Sequence, residues 1–251
     1  MKKWQVMVEE YLATRAPRLR GISRKYILDG ELRGERIMSF MGNVRGKVVY
    51  DVGCGTCGIS VAFRKAGAVV YATDKNQTMN EISWQRATDE CALPIHLPPA
   101  APLCRTVDIV VLNDVLEHAE DAYSLISDCL YVLRHDGCIW ISTPNKYSPK
   151  QILREGHSGL FGVSLLPPRM AKWYVEKVRR AMPLYDVNRI HSYGQLMNLF
   201  KDFKLSYEMI EEHKPARHFD RVRPLIVRRV LTWLFTKPLR PGFFEFIVRR
   251  T

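Results

Sequence analysis

Asp51-Val52-Gly53-Cys54-Gly55-Thr56-Cys57-Gly58 decides how this chain reads. A short apolar run, residues 47–52, leads into it and has the texture of a buried strand. A helical stretch, residues 59–65, follows it. Gly67 then opens a second apolar run, residues 68–73, which ends at Asp74. Strand, glycine turn, helix and strand in so short a span make a βαβ unit. The glycines permit a tight turn and let backbone approach a ligand closely. As a bare pattern G-x-G-x-x-G is weak. After a strand, before a helix and with an acid closing the next strand, it reads as a nucleotide-type cofactor loop. Asp74 is placed to accept hydrogen bonds from ribose hydroxyls.

The alternation continues outward from this unit. Residues 76–88 read as a helix, 93–97 as a weak strand, 107–112 as a strong buried strand and 119–134 as a helix closed by His135-Asp136-Gly137. Residues 138–142 read as a strand stopped by Pro144. Such βα repeats with near-continuous apolar strands predict an α/β fold, a mostly parallel sheet with helices on both faces. Upstream, residues 3–14 and 22–41 carry apolar positions at helical spacing. Downstream, residues 146–188 break the pattern with Pro149, Pro167, Pro168 and Pro183, and read as a cap holding one helix at 169–181. A helix with Ser192 as N-cap, strands at 205–210 and 242–249, and a basic helix at 224–235 complete the reading. The expected organisation is one domain, with N-terminal helices in 1–46, a cofactor-binding core in 47–145, a cap in 146–190, and the remaining sheet with the basic helix in 191–251.

The 251 residues are 47% apolar and 25% charged, values that exclude a disordered or collagen-like chain. The six cysteines, at 54, 57, 91, 104, 129 and 138, form no regular framework. Reduced thiols in a cytoplasmic protein are expected. The opening Met-Lys-Lys-Trp-Gln-Val, soon followed by Glu9 and Glu10, does not read as a secretory leader, and no apolar run is long enough to span a bilayer. The net charge of +12 is concentrated after residue 213, where ten basic residues face only Asp220 and Glu245. That suggests an anionic partner for this segment.

Two cofactors compete for the glycine loop. A dinucleotide would set its pyrophosphate at the helix N-terminus, where the carboxylate of Asp51 repels it. A cofactor whose near end is cationic, such as S-adenosyl-L-methionine (SAM), suits Asp51. At this point a family resemblance appears. Asp51-Val-Gly-Cys-Gly-Thr56 resembles motif I of the class I SAM-dependent methyltransferases, whose ribose-binding acid Asp74 matches. Val107-Asp-Ile-Val-Val-Leu-Asn-Asp-Val-Leu-Glu-His118 is similar to that family's fourth-strand motif. Leu133-Arg-His-Asp-Gly137 with Ile139-Trp-Ile-Ser-Thr-Pro-Asn145 is similar to its Leu-x-Pro-Gly-Gly turn and fifth strand. The resemblance covers residues 47–145 and implies a Rossmann-like sheet of seven strands. It implies SAM as cofactor, S-adenosyl-L-homocysteine as product, and cofactor contacts from Asp51, Gly53, Cys54, Gly55, Asp74, Lys75, Asn113 and Asp114. Cys57 stands where the motif usually has its third glycine. The acid often found after the third strand is missing, which leaves main-chain groups or Asp89 to meet the adenine.

Asn113-Asp114-x-x-Glu117-His118 resembles the acidic-x-x-Glu-His motif of ubiquinone-type O-methyltransferases, where the acids and histidine are linked to a divalent metal. Asp114, Glu117 and His118 would take that part here, or would only cap a helix and shape a pocket. His118 and His157 are the candidate bases for a hydroxyl acceptor. His157 lies in Glu155-Gly-His-Ser-Gly-Leu-Phe-Gly162, a cap segment similar to methyltransferases of glycan, lipid or natural-product pathways. His191 reads as structural. Tyr147, Trp173, Tyr174, Tyr185 and Tyr193 would line an acceptor pocket or build the cap's own core. Cys54 and Cys57 make a C-x-x-C without a second pair, a poor zinc or redox site.

The resemblance implies methyl transfer to a small-molecule, lipid-linked or glycan acceptor, on oxygen before nitrogen. The basic 224–235 helix would either lie on a membrane surface or pack on the sheet with solvated arginines. The alternatives are an RNA methyltransferase using the basic face, although no nucleic-acid module accompanies the charge, an NAD-dependent oxidoreductase, and a methyltransferase-like binding subunit without catalysis.

Overall fold

Seven strands, among the described residues, join in one sheet of order β3-β2-β1-β4-β5-β7-β6. The computed structural model describes residues 2–15, 29–92, 95–96, 104–210 and 242–251. The basic helix read at 224–235 and the first part of the helix read at 22–41 lie outside them. Helices α1 (Lys3–Arg15) and α2 (Gly30–Met41) precede the sheet. Then come β1 (Val48–Val52), α3 (Gly58–Lys65), β2 (Val69–Thr73), α4 (Gln77–Asp89), β3 (Ile95–His96) and β4 (Val107–Asn113). After a single 3-10 turn, Leu116–His118, follow α5 (Ala122–Val132) and β5 (Leu133–Pro144).

Strands β1 to β5 run parallel to their neighbours, with Val49 facing Ile109 and Leu112 facing Ile141 across the centre. The 119–134 helix is shorter than its sequence suggested. Its first residues form an extended link, and Asp121 caps the helix by accepting from Tyr123 N and Ser124 N. The His135-Asp136-Gly137 run bulges out of β5, because the pairing steps from Val107–Leu133 directly to Ile109–Cys138. Helix α8 (Tyr193–Asp202) has the expected Ser192 cap, completed by Gln195 as a reciprocal capping box. Strand β6 (Leu205–Met209) and strand β7 (Phe243–Arg250) close the sheet, with β7 antiparallel between β5 and β6.

Both faces of the sheet are covered, which is why its strands are apolar throughout. One core joins Val49, Val70, Val111 and Trp140 to Ile37 of α2 and Phe63 of α3. The other joins Val110, Leu112, Ile139 and Ile141 to Ile126 of α5 and Phe200 of α8. Helix α1 packs on α4 through Trp4, Val8, Leu12 and Ile82.

The cap holds α6 (Pro149–Leu153) and α7 (Pro168–Trp173), the latter continuing as a widened π turn, Tyr174–Val178. The helix read at 169–181 is therefore cut short. Val163, Ala171, Val175, Tyr185, Val187 and Ile190 give the cap its own small core. Among the described residues no helix is long and apolar enough to cross a membrane.

Candidate active site

The loop after β1 lies at the carboxyl ends of the strands, where β1 has β2 on one side and β4 on the other. Chain connections depart in opposite directions there, which opens a crevice in open α/β sheets. Gly53 has φ +69°, and a Cβ on it would meet Val115 Cγ2 at 2.6 Å. Gly55 has φ +53°, but a Cβ there would meet no atom within 4 Å, so the crest of the loop faces open space. Cys57 takes the left-handed conformation with φ 64° at the position of the missing glycine. Gly58 packs so closely on Gly30 that a Cβ would lie 2.7 Å from Gly30 Cα. The start of α2 is thereby pressed against the start of α3.

Side chains brace this loop from beneath. Ser83 Oγ donates to Gly55 O at 2.8 Å, and Arg86 reaches the carbonyl and hydroxyl of Thr56 at 3.4 and 3.3 Å. Asp51 is buried at the end of β1 and accepts from Ser60 Oγ at 2.5 Å. Burial pushes its carboxyl up to about 7.

Asp74 is oriented by three neighbours. Its Oδ2 accepts from Gly55 N at 3.0 Å and its Oδ1 from Asn76 N at 2.8 Å, while the Asn80 amide brackets its main chain. Each carboxylate oxygen keeps a second lone pair for a ligand hydroxyl. Lys75 beside it is exposed.

At the end of β4, Asp114 has φ 59° and donates its N–H to Ser142 O at 2.9 Å. Its Oδ1 is 3.4 Å from Ser142 Oγ. Its Oδ2 is 3.2 Å from Asn113 Nδ2 and 3.6 Å from Arg33 Nη1. Burial, with Glu117 adding to it, pushes the Asp114 carboxyl well up. Arg33, on α2, has its guanidinium lowered to about 10 by burial. The sequence reading missed Arg33, because nothing in the 22–41 pattern says which face of that helix meets the strand ends.

The turn after β4 and the cap meet at a second cluster. Glu117 is fully buried. Its Oε2 accepts from Thr143 Oγ1 at 3.2 Å, and its Oε1 is buried without a hydrogen-bond partner. Burial raises its carboxyl to about 7. The Glu117 carbonyl accepts from Asn188 N and Arg189 N, which fastens the end of the cap to the turn. His118 Nδ1 lies 3.0 Å from Asp186 O, and burial, then the nearby His157, lowers its pKa. The His118 and His157 rings meet edge to face at 4.9 Å. His157 Nδ1 lies 2.8 Å from Glu155 Oε1. Burial alone would lower His157, but the hydrogen bond and charge of Glu155, with Glu117 and Asp114, outweigh it and raise it to about 9. Glu155 also accepts from the backbone of His157 and Ser158 and from Ser158 Oγ. Burial would raise its carboxyl, yet His157 and Ser158 hold it down at about 2. The sequence reading named His157 but not Glu155, whose only trace is its place two residues before the histidine.

Glu117, His118 and His157 each offer one metal-ligating atom, and these atoms lie within 4.8 Å of one another. Asp114, the acid the motif suggested, is not in this group. Asp89, the side chain named for the adenine, lies against α1. Its two oxygens accept from Trp4 N and Gln85 Nε2 at the C-terminal end of α4. The Cys54 thiol lies 3.6 Å from Ser83 Oγ and is raised well above its ordinary pKa by Cys57 and by burial, which leaves it protonated and unreactive. His191 is buried, and burial lowers it to about 4, as expected of a structural histidine. Tyr174 and Tyr185 belong to the cap core, Tyr193 packs on Phe244, and Tyr147 and Trp173 are exposed. A cavity of about 300 Å³ lies in the cap, lined by Lys146, Ser164, Tyr185, Arg189 and Gln195 among others.

Residues 50–141 match the family model for a methyltransferase domain. Over that span the chain is similar to methyltransferase domains. The match spans β1 through most of β5 and so includes the glycine loop and the Glu117 turn. The domain is 34% identical over 125 residues to a ubiquinone biosynthesis O-methyltransferase of Haemophilus ducreyi, covering 46% of this chain and 52% of that one. A relative of the same description from Bordetella avium is 30% identical over 142 residues, covering 54% and 58%. The chain thus spans about half the length of the curated relatives it matches. Among solved structures, the methyltransferase fold recurs in a SAM-dependent methyltransferase of Mesorhizobium loti (TM-score 0.57, 17% identity, 88% and 98% covered). It recurs also in the magnesium protoporphyrin IX methyltransferase of Synechocystis with bound S-adenosylhomocysteine (TM-score 0.54, 18% identity, 91% and 87% covered).

Proposed function

We propose that the chain transfers a methyl group from SAM to a hydroxyl oxygen of a small-molecule acceptor. The observation that carries this reading is the crevice bounded by the open crest at Gly55, the oriented carboxylate of Asp74 and the buried carboxylate of Asp51. Asp74 would take the ribose hydroxyls on its remaining lone pairs. Asp51 and Asp114 would face the cationic amino and sulfonium end, and Arg33 the carboxylate of the methionyl part. Gly53 and Cys54 would shape the loop, Asn113 would close the crevice from β4, and Lys75 would border the ribose.

The acceptor oxygen would enter from the cap side, in line with the bond between sulfur and methyl. The new bond forms between oxygen and methyl carbon as the carbon–sulfur bond breaks. The sulfonium becomes the neutral thioether of S-adenosylhomocysteine. The acceptor proton would leave at the cluster of Glu117, His118 and His157, where His118 is held neutral. Positioning supplies much of the rate in such a displacement. The relatives' description as ubiquinone biosynthesis O-methyltransferases supports oxygen over nitrogen. Lipid-linked or glycan acceptors, and a peripheral place at the cytoplasmic membrane surface, rest on the cap segment and on the charge after residue 213.

Calorimetric titration with SAM, S-adenosylhomocysteine and NAD(H) on wild type and Asp74→Ala tests the cofactor. Micromolar binding of the first two, weakened at least tenfold by the substitution, is expected. Binding of NAD(H) alone would overturn the reading. Methyl transfer to a panel of phenols and alcohols then tests the acceptor.

A further inference from the structure

The cavity of about 300 Å³ in the cap is lined by none of the residues placed around the glycine-loop crevice. Its charged lining has one sign. Lys146 and Arg189 both border it, and among the described residues no aspartate or glutamate does. Both cations stand on anchored backbone: Lys146 N donates to His191 O at 3.1 Å, and Arg189 N donates to Glu117 O at 3.0 Å. Their fields meet at His191, whose ring is lowered by burial first and then by Arg189 and Lys146. Nδ1 of that ring is itself buried without a hydrogen-bond partner. Two like charges drawn together with no acid between them favour an anion.

An independent observation points the same way. Ser164 lines the cavity and is only 4% exposed, yet its hydroxyl has no hydrogen-bond partner. A buried hydroxyl left so is costly, and an anion seated beside it supplies the missing acceptor. Much of the remaining wall is apolar, with Val163, Leu166 and Val187 among its residues. These three pack in the cap's own small core, which holds that wall in place. An apolar cavity about half as large takes up a benzene molecule. This one has room for a ring-sized body together with an acidic substituent, and it lies at the small end of ligand pockets.

We propose that the cap cavity binds a small organic anion, a carboxylate or a phosphate monoester on a ring-sized apolar body. Lys146 and Arg189 meet its charge, the Ser164 hydroxyl donates to it, and Val163, Leu166 and Val187 receive the apolar part. One wall of the cavity is the stretch whose Asn188 and Arg189 N–H groups hold the Glu117 carbonyl. An occupant would therefore stiffen the attachment of the cap to the turn after β4. The binding needs neither SAM nor methyl transfer, and it stands apart from the proposed function.

The test titrates the full-length chain by calorimetry with benzoate and phenyl phosphate, and beside them with inorganic phosphate and benzyl alcohol. Saturable binding of an aryl anion is expected, about tenfold or more tighter than either control, because only the aryl anion answers both the cations and the apolar wall. The tighter of the two anions tells carboxylate from phosphate. Lys146→Met and Arg189→Met keep the backbone anchors and should each weaken binding about fivefold to tenfold. Ser164→Ala should weaken it about threefold to tenfold. Far-UV circular dichroism and SAM titration of each variant report the fold and the cofactor crevice separately, and both should be unchanged. Saturating SAM should leave the anion's affinity as it was. No saturable binding of either aryl anion, equal affinity for inorganic phosphate (an adventitious ion only), equal affinity in the doubly substituted Lys146→Met, Arg189→Met chain, or displacement by SAM would each overturn the inference.

Discussion

The guanidinium of Arg86 lies under the ring of Trp4, 4.1 Å from its centroid, and on its other side grips Thr56 in the glycine loop. Helix α1 thus reaches the glycine loop through one buried cation, which also pairs with Glu31 at 3.4 Å. Removing the ring deletes a buried aromatic and uncovers the charge. Trp4→Ala should cost about 3 kcal/mol in urea unfolding and weaken SAM severalfold. Equal SAM affinity despite lost stability would mean that Arg86 holds the loop without help from Trp4.

Gly53 and Gly55 should answer differently to alanine. At Gly53 a Cβ collides with Val115, on top of the left-handed strain. At Gly55 only the strain operates, about 1 kcal/mol, because the space above is open. Gly53→Ala is therefore expected to lower Tm markedly. Gly55→Ala should barely move Tm and yet weaken SAM at least tenfold, since the new methyl occupies the ligand's place. Thermal melts beside calorimetry separate the two, and equal behaviour of both variants would contradict the assignment of that space.

The proposed role of Asp51 predicts that SAM affinity depends on pH. Its folded carboxyl is raised to about 7, so in the free protein it carries a proton below that pH. A cationic ligand end favours the ionised form, and binding must then expel the proton. SAM affinity should rise about tenfold per pH unit between pH 5.5 and 7 and level off above. Titrations in buffers of different ionisation enthalpy would show the proton released. A flat profile, or one equally steep in Asp51→Asn, would refute this role.

His191 links stability to pH in its own window. Its folded pKa is lowered to about 4 from 6.5, so the unfolded chain binds the extra proton between those values. Its contribution is fully present above pH 6.5 and is lost as pH falls toward 4. The whole of it is about 3 kcal/mol. His191→Asn should flatten the acid limb of the unfolding curve by that amount, measured as urea stability at pH 4 and pH 7.

Much of this was written locally in the chain. The glycine loop, Asp74, the Ser192 cap and the buried strands each depend on a few adjacent residues, and the structure has them where the pattern puts them. What the sequence hid depends on long-range docking. Arg33 reaches Asp114 through the docking of α2 on α3, where Gly30 packs on Gly58. His157 joins Glu117 and His118 only because Asn188 and Arg189 pin the cap to the turn. Asp89 suited adenine in the linear reading, but α1 lies across it. The 119–134 helix was read too long because apolar spacing does not register the Asp121 cap, and the 169–181 helix because it does not register the widening at Tyr174.

The antiparallel strand β7 sits inside the sheet, yet it is made later than both of its neighbours. Until residues 243–250 have left the ribosome, β5 ends in a bare edge and β6 has no described partner to lie against. Phe244, Phe246 and Val248 complete the core on that side. A nascent chain halted after β6 would hold a finished glycine loop beside an open, adhesive sheet margin. For this fold, a premature stop that spares every residue of the crevice is a hazard for aggregation.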